Sequence, residues 1–192
     1  MTKPVDKRNQ LIDTAFMLFY QHGIHAVGIN EVLASSGIAK KTLYNHFSSK
    51  EVLIQACISE RDACFMHWFT KQCSNNDSAV GFVEKVFNAL NDWINETSAE
   101  LGPFNGCFFI NAAAEYGDTD SEINQLCMQH KLHIKQFFEQ ELSTQLSNKQ
   151  QLKALVELLL LLKEGSINCA HVMGDKQSAL KAKSLALSFL NT

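Results

Sequence analysis

Two short amphipathic segments on either side of a single glycine constrain this chain more than anything else in it. In the stretch 28–50, GINEVLASSGIAKKTLYNHFSSK, Gly28 stands where a helix N-cap belongs, and Ile29, Val32 and Leu33 recur at i, i+3, i+4 spacing. Ser36-Gly37 then stops that helix, because glycine enters the left-handed region at little steric cost. Ile38 plugs the corner, and a second short helix starts near Ala39. It turns Leu43 and Phe47 to a core and leaves Lys40, Lys41, Thr42, Tyr44, Asn45 and His46 toward solvent. Cations, a hydroxyl, a phenol and an imidazole on one face suit a phosphate backbone and base edges in a major groove. The stretch reads as a helix-turn-helix with the second helix as reader.

The flanks agree. Leu11, Ile12, Ala15, Phe16 and Phe19 make a stripe on a helix near 5–22, ended by Gly23. Lys3, Lys7 and Arg8 sit at its start, where they touch phosphate or are simply solvated. Phe47-Ser48-Ser49-Lys50-Glu51-Val52 predicts a new helix with Ser48 as N-cap, a Ser48/Glu51 capping box and Phe47 stapled to Val52. Lys50 at that N-terminus is placed for a phosphate.

Phe19, Gly23, Ile29, Val32, Gly37, Ile38, Lys40, Thr42, Leu43, Tyr44, His46, Phe47, Lys50 and Glu51, in this order, resemble the TetR family of transcriptional regulators. Gly28 and Ala39 depart from it, standing where the family usually has Ser or Thr caps. The resemblance implies an all-α chain. A three-helix DNA-binding domain is expected over 1–49, and a larger helical ligand-binding and dimerisation domain over 50–192.

Charge supports that division. The net charge is −3 over 192 residues, but as far as Arg61 seven cations stand against five anions, leaving ten against fifteen beyond. A mildly basic head on an acidic body suits DNA binding at one end, since phosphate contacts act locally. The most apolar segment, 155–162, is interrupted by Glu157 and falls far short of the roughly 18–20 residues that span a bilayer. Asp6 and Asn9 precede any apolar run, so no secretory leader is predicted, and the six cysteines are expected as reduced thiols in the cytoplasm.

Further helices follow: one from Asp77 or Ser78, then Cys107–Tyr116, one from a Thr119/Glu122 capping box to about Leu146, one from Asn148 to about Val172, and a last one to Leu190. Leu155, Val156 and Leu158 to Leu162 surround their helix with apolar surface, so one side is expected to meet a second copy. Leu155, Leu158, Leu159, Leu162, Leu185 and Phe189 are the predicted homodimer surface, as the resemblance also implies. A dimer of reading helices calls for a palindromic operator. The resemblance implies a small-molecule pocket as well, and the aromatic, charge-poor set Phe65, Trp68, Phe69, Phe87, Trp93, Phe104, Cys107, Phe108, Asn111 and Phe137 suits a hydrophobic or aromatic effector.

Cys107 opens a helix, where the dipole favours thiolate, so electrophile or oxidant sensing is an alternative to a buried inert thiol. A nucleophile pair of Cys107 with His67 or His171 is a remoter alternative, without P-loop, dinucleotide, HExxH or GxSxG motifs to support an enzyme. Cys127, His130 and His133 drift around their helix at successive steps of three, a poor metal set. No catalytic residue, metal or cofactor is assigned.

Overall fold

Leu11, Ile12, Ala15, Phe19 and Tyr20, the stripe that opens the chain, are the buried side of the first helix in a computed structural model that describes residues 6–190. That helix, α1 (Lys7–His22), packs on α2 (Ile29–Ser36) and α3 (Lys40–His46). The remaining helices are α4 (Lys50–Cys73), α5 (Ala79–Ile94), α6 (Phe108–Glu115), α7 (Glu122–Ser143), α8 (Lys149–Met173) and α9 (Ser178–Leu190). A 3-10 turn, Ala99–Leu101, precedes the 102–107 loop. The fold is all-helical, with no strand among the described residues. Lys3 and the expected first turn at Val5 lie outside them.

By packing, the chain forms two compact units, one of residues 1–63 with 108–130 and the other of 64–107 with 131–192. Unit 1 joins α1, α2 and α3 to the beginning of α4, to α6 and to the beginning of α7. Its core includes Leu43, Phe47, Leu53, Ile54 and Phe108, all at most 2% exposed. Burying such side chains contributes about 1.5–3 kcal/mol each. Phe108 stands edge-on to Phe16 and Tyr20, and the Arg61 guanidinium covers the same two rings at 5.1 and 5.6 Å. Arg61 is only 5% exposed, so this cation of the expected basic head works inside the core. His130, also buried, stacks on Phe109 and lies 2.7 Å from Asp62 through its Nδ1.

Unit 2 is built on α5, α8 and α9, which pack on one another. The apolar face of α5, from Phe82 and Val83 to Trp93 and Ile94, is wholly interior. An aromatic run joins it, with Phe65 against Trp68, Phe69 and Trp93, Trp93 against Phe104, and Phe69 against Phe137. Among the described residues no helix is long and apolar enough to cross a membrane.

Three helix starts differ from expectation. At α4 the cap is Ser49, whose Oγ accepts from the Val52 N–H at 3.3 Å, not Ser48. Two consecutive serines offer the same side chain, and only the second stands one residue ahead of the helix. At α7 Ser121 takes the role expected of Thr119, accepting from the Asn124 N–H at 3.2 Å. α6 starts at Phe108, one residue after Cys107. At α8 the expected Asn148 is the cap, accepting from the N–H groups of Gln150 and Gln151.

Candidate nucleic-acid interface

The corner between α2 and α3 is fixed from three sides. Gly37 adopts φ +68° and donates its N–H to the Leu33 carbonyl, ending α2 in the left-handed conformation that glycine tolerates. Ile38 buries its side chain, and its N–H reaches Ser36 Oγ at 3.3 Å. From α1, Gln10 donates to the Ser36 carbonyl at 2.9 Å. Leu43 and Phe47 then anchor the inner side of α3, each at most 1% exposed, with the Arg8 guanidinium 5.5 Å from the Phe47 ring centroid.

That anchoring fixes what α3 shows outward. Lys40, Lys41, Asn45 and His46 are exposed, Tyr44 is 46% exposed and Thr42 is half-buried. The Lys40 ammonium lies 6.0 Å from the Tyr44 ring centroid, so a cation and a phenol share one patch. Gly28 is exposed, with ordinary extended angles of −90° and 160°. It serves as an N-cap without a side-chain bond, as does Ala39 at α3. Lys50 is half-buried, because its Nζ donates to the Ile24 carbonyl at 2.6 Å and lies over the Phe19 ring. An ammonium has three N–H donors, so this engagement leaves donors over for a phosphate.

Glu115 was not foreseen. Standing last on α6, it accepts the N–H of Ile24 at 2.7 Å through Oε1 and that of His25 at 2.6 Å through Oε2. The two ends of the carboxylate thus hold the loop between α1 and α2, while Lys50 holds its Ile24 carbonyl. The Tyr116 ring lies against His25, and burial, followed by the charges of Glu51 and Glu115, pushes the Tyr116 phenol up. The sequence carried one sign of this: Glu115 is the lone charged residue of the mostly apolar CFFINAAAEY segment.

The expected pocket residues fall in both units. Phe65, Trp68, Phe69, Phe87, Trp93, Phe104, Cys107 and Phe137 are buried in unit 2, most of them in mutual ring contact, whereas Phe108 and Asn111 belong to unit 1. A hollow of about 270 Å³ in unit 2 shares only Trp68 with that set; Gln72, Asp92, Thr97, Ser98 and Glu100 line much of the rest. Of the expected dimer residues, Leu155 and Leu159 have no exposed surface and so cannot face a partner. Their place in the stripe is the protomer's own core. Leu158 and Leu162 are half-buried, Leu185 is 61% exposed and Phe189 keeps an exposed edge, and beside them Leu161 is 73% exposed.

A trihelical head whose third helix is anchored from behind is a helix-turn-helix arrangement. Residues 11–57 match the family model described as bacterial regulatory proteins, tetR family. The chain is 28% identical over 86 residues to the HTH-type transcriptional repressor KstR2 of Mycolicibacterium smegmatis, covering 44% of this chain and 40% of that protein. It is 40% identical over 53 residues to the transcriptional activator FasR of the same organism, covering 28% and 24%. The matches thus span less than half the length of these two relatives. Over nearly the whole chain it superposes on a TetR-family transcriptional regulator from Streptomyces coelicolor, with TM-score 0.82, 26% identity, and 96% and 94% of the two chains covered. The N-terminal segment is thus similar to the DNA-binding part of tetR-family regulators, and the chain as a whole shares the fold of such a regulator.

Proposed function

We propose that this chain is a repressor that binds a palindromic operator in double-stranded DNA as a homodimer and lets go when a small hydrophobic or aromatic effector binds. The observation that carries the reading is the outer face of α3, where Lys40, Lys41, Tyr44, Asn45 and His46 are exposed on a helix pinned from behind by Leu43 and Phe47. Gly28 and Lys50 flank that face. Repression is the sense of regulation named for KstR2, and FasR shows that the opposite sense exists among relatives. Such a protein acts in the cytoplasm, where its operator is, and needs neither cofactor nor catalytic residue.

Its DNA-binding part is residues 1–49, and residues 50–192 serve ligand and partner. The sequence of α4 belongs to both packed units, which gives the effector a covalent route to Lys50. Aromatic side chains concentrated in unit 2 support an apolar effector. Operator half-sites are fixed in spacing, so a small displacement of one reading helix breaks its register.

Binding to a palindrome from the chain's own promoter region, followed by fluorescence anisotropy at fixed salt, tests the reading. Tyr44→Ala is expected to weaken binding by about 1–3 kcal/mol while leaving the dimer intact. Lys41→Ala should weaken all sequences alike and flatten the salt dependence, whereas changes at Lys40 or Thr42 should alter sequence preference. Unchanged affinity in both Tyr44→Ala and Lys41→Ala would exclude this face.

The dimer is proposed on Leu158, Leu161 and Leu162 of α8 with Leu185 and Phe189 of α9, an apolar set that keeps exposed surface. Leu161→Glu with Leu185→Glu is expected to turn a dimer into a folded monomer in light scattering at micromolar concentration, because charge at an apolar seam is left without partners. A wild-type monomer under those conditions would refute the dimer.

A further inference from the structure

Asn45 stands on the outermost line of α3. At about 100° per residue it lies roughly 200° round the helix from Leu43, whose side chain is fully buried. It therefore points away from the core, and it is exposed. Among the described residues its carboxamide has no hydrogen-bond partner.

Its neighbours are engaged differently. The Lys40 ammonium lies by the Tyr44 ring, the His46 ring tilts against Phe47, and the Lys50 ammonium donates to the Ile24 carbonyl. Lys41 shares the outer line one turn earlier, but its long stem lets the ammonium swing out to a phosphate. Asn45 has only two side-chain torsions, on a helix pinned by Leu43 and Phe47. Its reach is short and its range of directions narrow.

Of the side chains that α3 turns outward, Asn45 alone presents an N–H donor and an acceptor oxygen on one carbon. Lys40 and Lys41 only donate, the hydroxyls of Thr42 and Tyr44 are single atoms, and the two ring nitrogens of His46 point apart. In a major groove, adenine offers an acceptor, N7, beside a donor, the N6 amino group. Guanine offers two acceptors, one of which would face the amide oxygen. Cytosine offers one donor and thymine one acceptor, so each leaves half of the amide unmet. A polar group taken from water without a partner costs binding, so the preference is built into the carboxamide itself.

We infer that Asn45 is a specificity-determining residue that reads one adenine in each operator half-site, donating its amide N–H to N7 and accepting from the N6 amino group. This deepens the operator reading above and rests on it. Under two-fold symmetry the same adenine recurs in the inverted half-site.

The test selects duplexes from a randomised pool with the full chain, and repeats the selection with Asn45→Ala and Asn45→Asp, each confirmed as folded by circular dichroism. The wild type is expected to enrich adenine at one position of each half-site, every other base there binding about five- to 150-fold more weakly. Asn45→Ala should accept all four bases at that position and keep the rest of the site. Asn45→Asp, which only accepts, should move the preference toward cytosine, whose N4 amino group donates. Replacing the adenine with 7-deazaadenine removes the N7 acceptor alone. Anisotropy on that duplex should show the wild type weakened by at least about fivefold and Asn45→Ala unaffected. Three results would each overturn the inference and leave the DNA reading standing: a wild-type site without adenine, an Asn45→Ala site unchanged at every position, or equal losses of both proteins on the 7-deaza duplex. A wild-type chain that enriches no sequence would overturn the operator reading and this inference with it.

Discussion

Glu164→Gln is expected to lower the thermal midpoint by about 6–12 °C, corresponding to a loss of about 3 kcal/mol. The carboxylate is the shared acceptor of Lys131 and Lys163, and its removal leaves a fully buried ammonium facing a second one. Removing one partner of a buried ion pair costs far more than replacing the pair with apolar groups. Lys163→Met should change the midpoint little, or raise it, because Glu164 keeps Lys131 as its partner and methionine fills a similar volume without a charge to desolvate. This asymmetry is the diagnostic, and equal losses in the two variants would refute the electrostatic account.

The same cluster sets two limbs of the pH profile. Burial alone would push the Glu164 carboxyl up, but Lys163 and Lys131 outweigh it by charge and hydrogen bonding and bring it to about 2. A depressed carboxyl contributes stability that is present above its unfolded value, roughly 4.3, and that is lost as pH falls toward 2. Lys163 is held below its ordinary value, so the unfolded chain binds its proton more readily and stability rises with pH as that proton is lost. In Glu164→Gln this alkaline gain should grow, since an opposing charge is gone. Chemical denaturation of wild type and variant at pH 7 and in mildly alkaline buffer would show it, and a flat difference would sink the assignment.

The second large effect is expected at Glu115. Glu115→Ala strips acceptors from the Ile24 and His25 N–H groups, and hydrogen bonds to a charged partner are worth about 1.5–3 kcal/mol each. The carboxylate is 24% exposed and water replaces part of the loss, so about 2–3 kcal/mol of stability should go. Operator affinity should fall with it, because the loop that Glu115 holds leads directly into α2. Glu115→Gln supplies one carbonyl oxygen and turns an amide donor toward the other N–H, so it should lie between alanine and wild type. Wild-type melting and DNA affinity in Glu115→Ala would show that the loop holds its shape without α6.

These effects also mark where the sequence was readable. The geometry of α2 and α3 was legible because its determinants lie within a few residues of one another: the stop at Gly37, the plug at Ile38 and the inward pair Leu43 and Phe47 are all local. Helix starts were readable to within a residue or two, and Ser49 rather than Ser48 shows the limit, since adjacent serines are chemically equal until the backbone chooses. Glu115 was not legible as a brace, because its partners stand 91 and 90 positions away and are backbone groups, which leave no mark on the sequence. The α8 cluster left a trace that apolar patterning obscured. Lys163 falls four residues after Leu159 on the buried stripe, and a cation there demands a counter-charge from another helix. The dimer set failed at Leu155 and Leu159 for a related reason, since a helix apolar on several sides does not announce which side its own chain will cover.

Unit 1 has a consequence for synthesis. Its residues are not contiguous, so a ribosome that has released residues 1–63 has not yet supplied α6 or the beginning of α7. The nascent segment must wait, with Phe16 and Tyr20 lacking Phe108 and the Ile24 and His25 amides lacking their carboxylate, until residues up to 130 emerge. Closure across so long an interval is slow relative to local helix formation. A ribosome-bound chain stalled before that point should be cut by protease between α1 and α2, and one stalled well beyond it should resist.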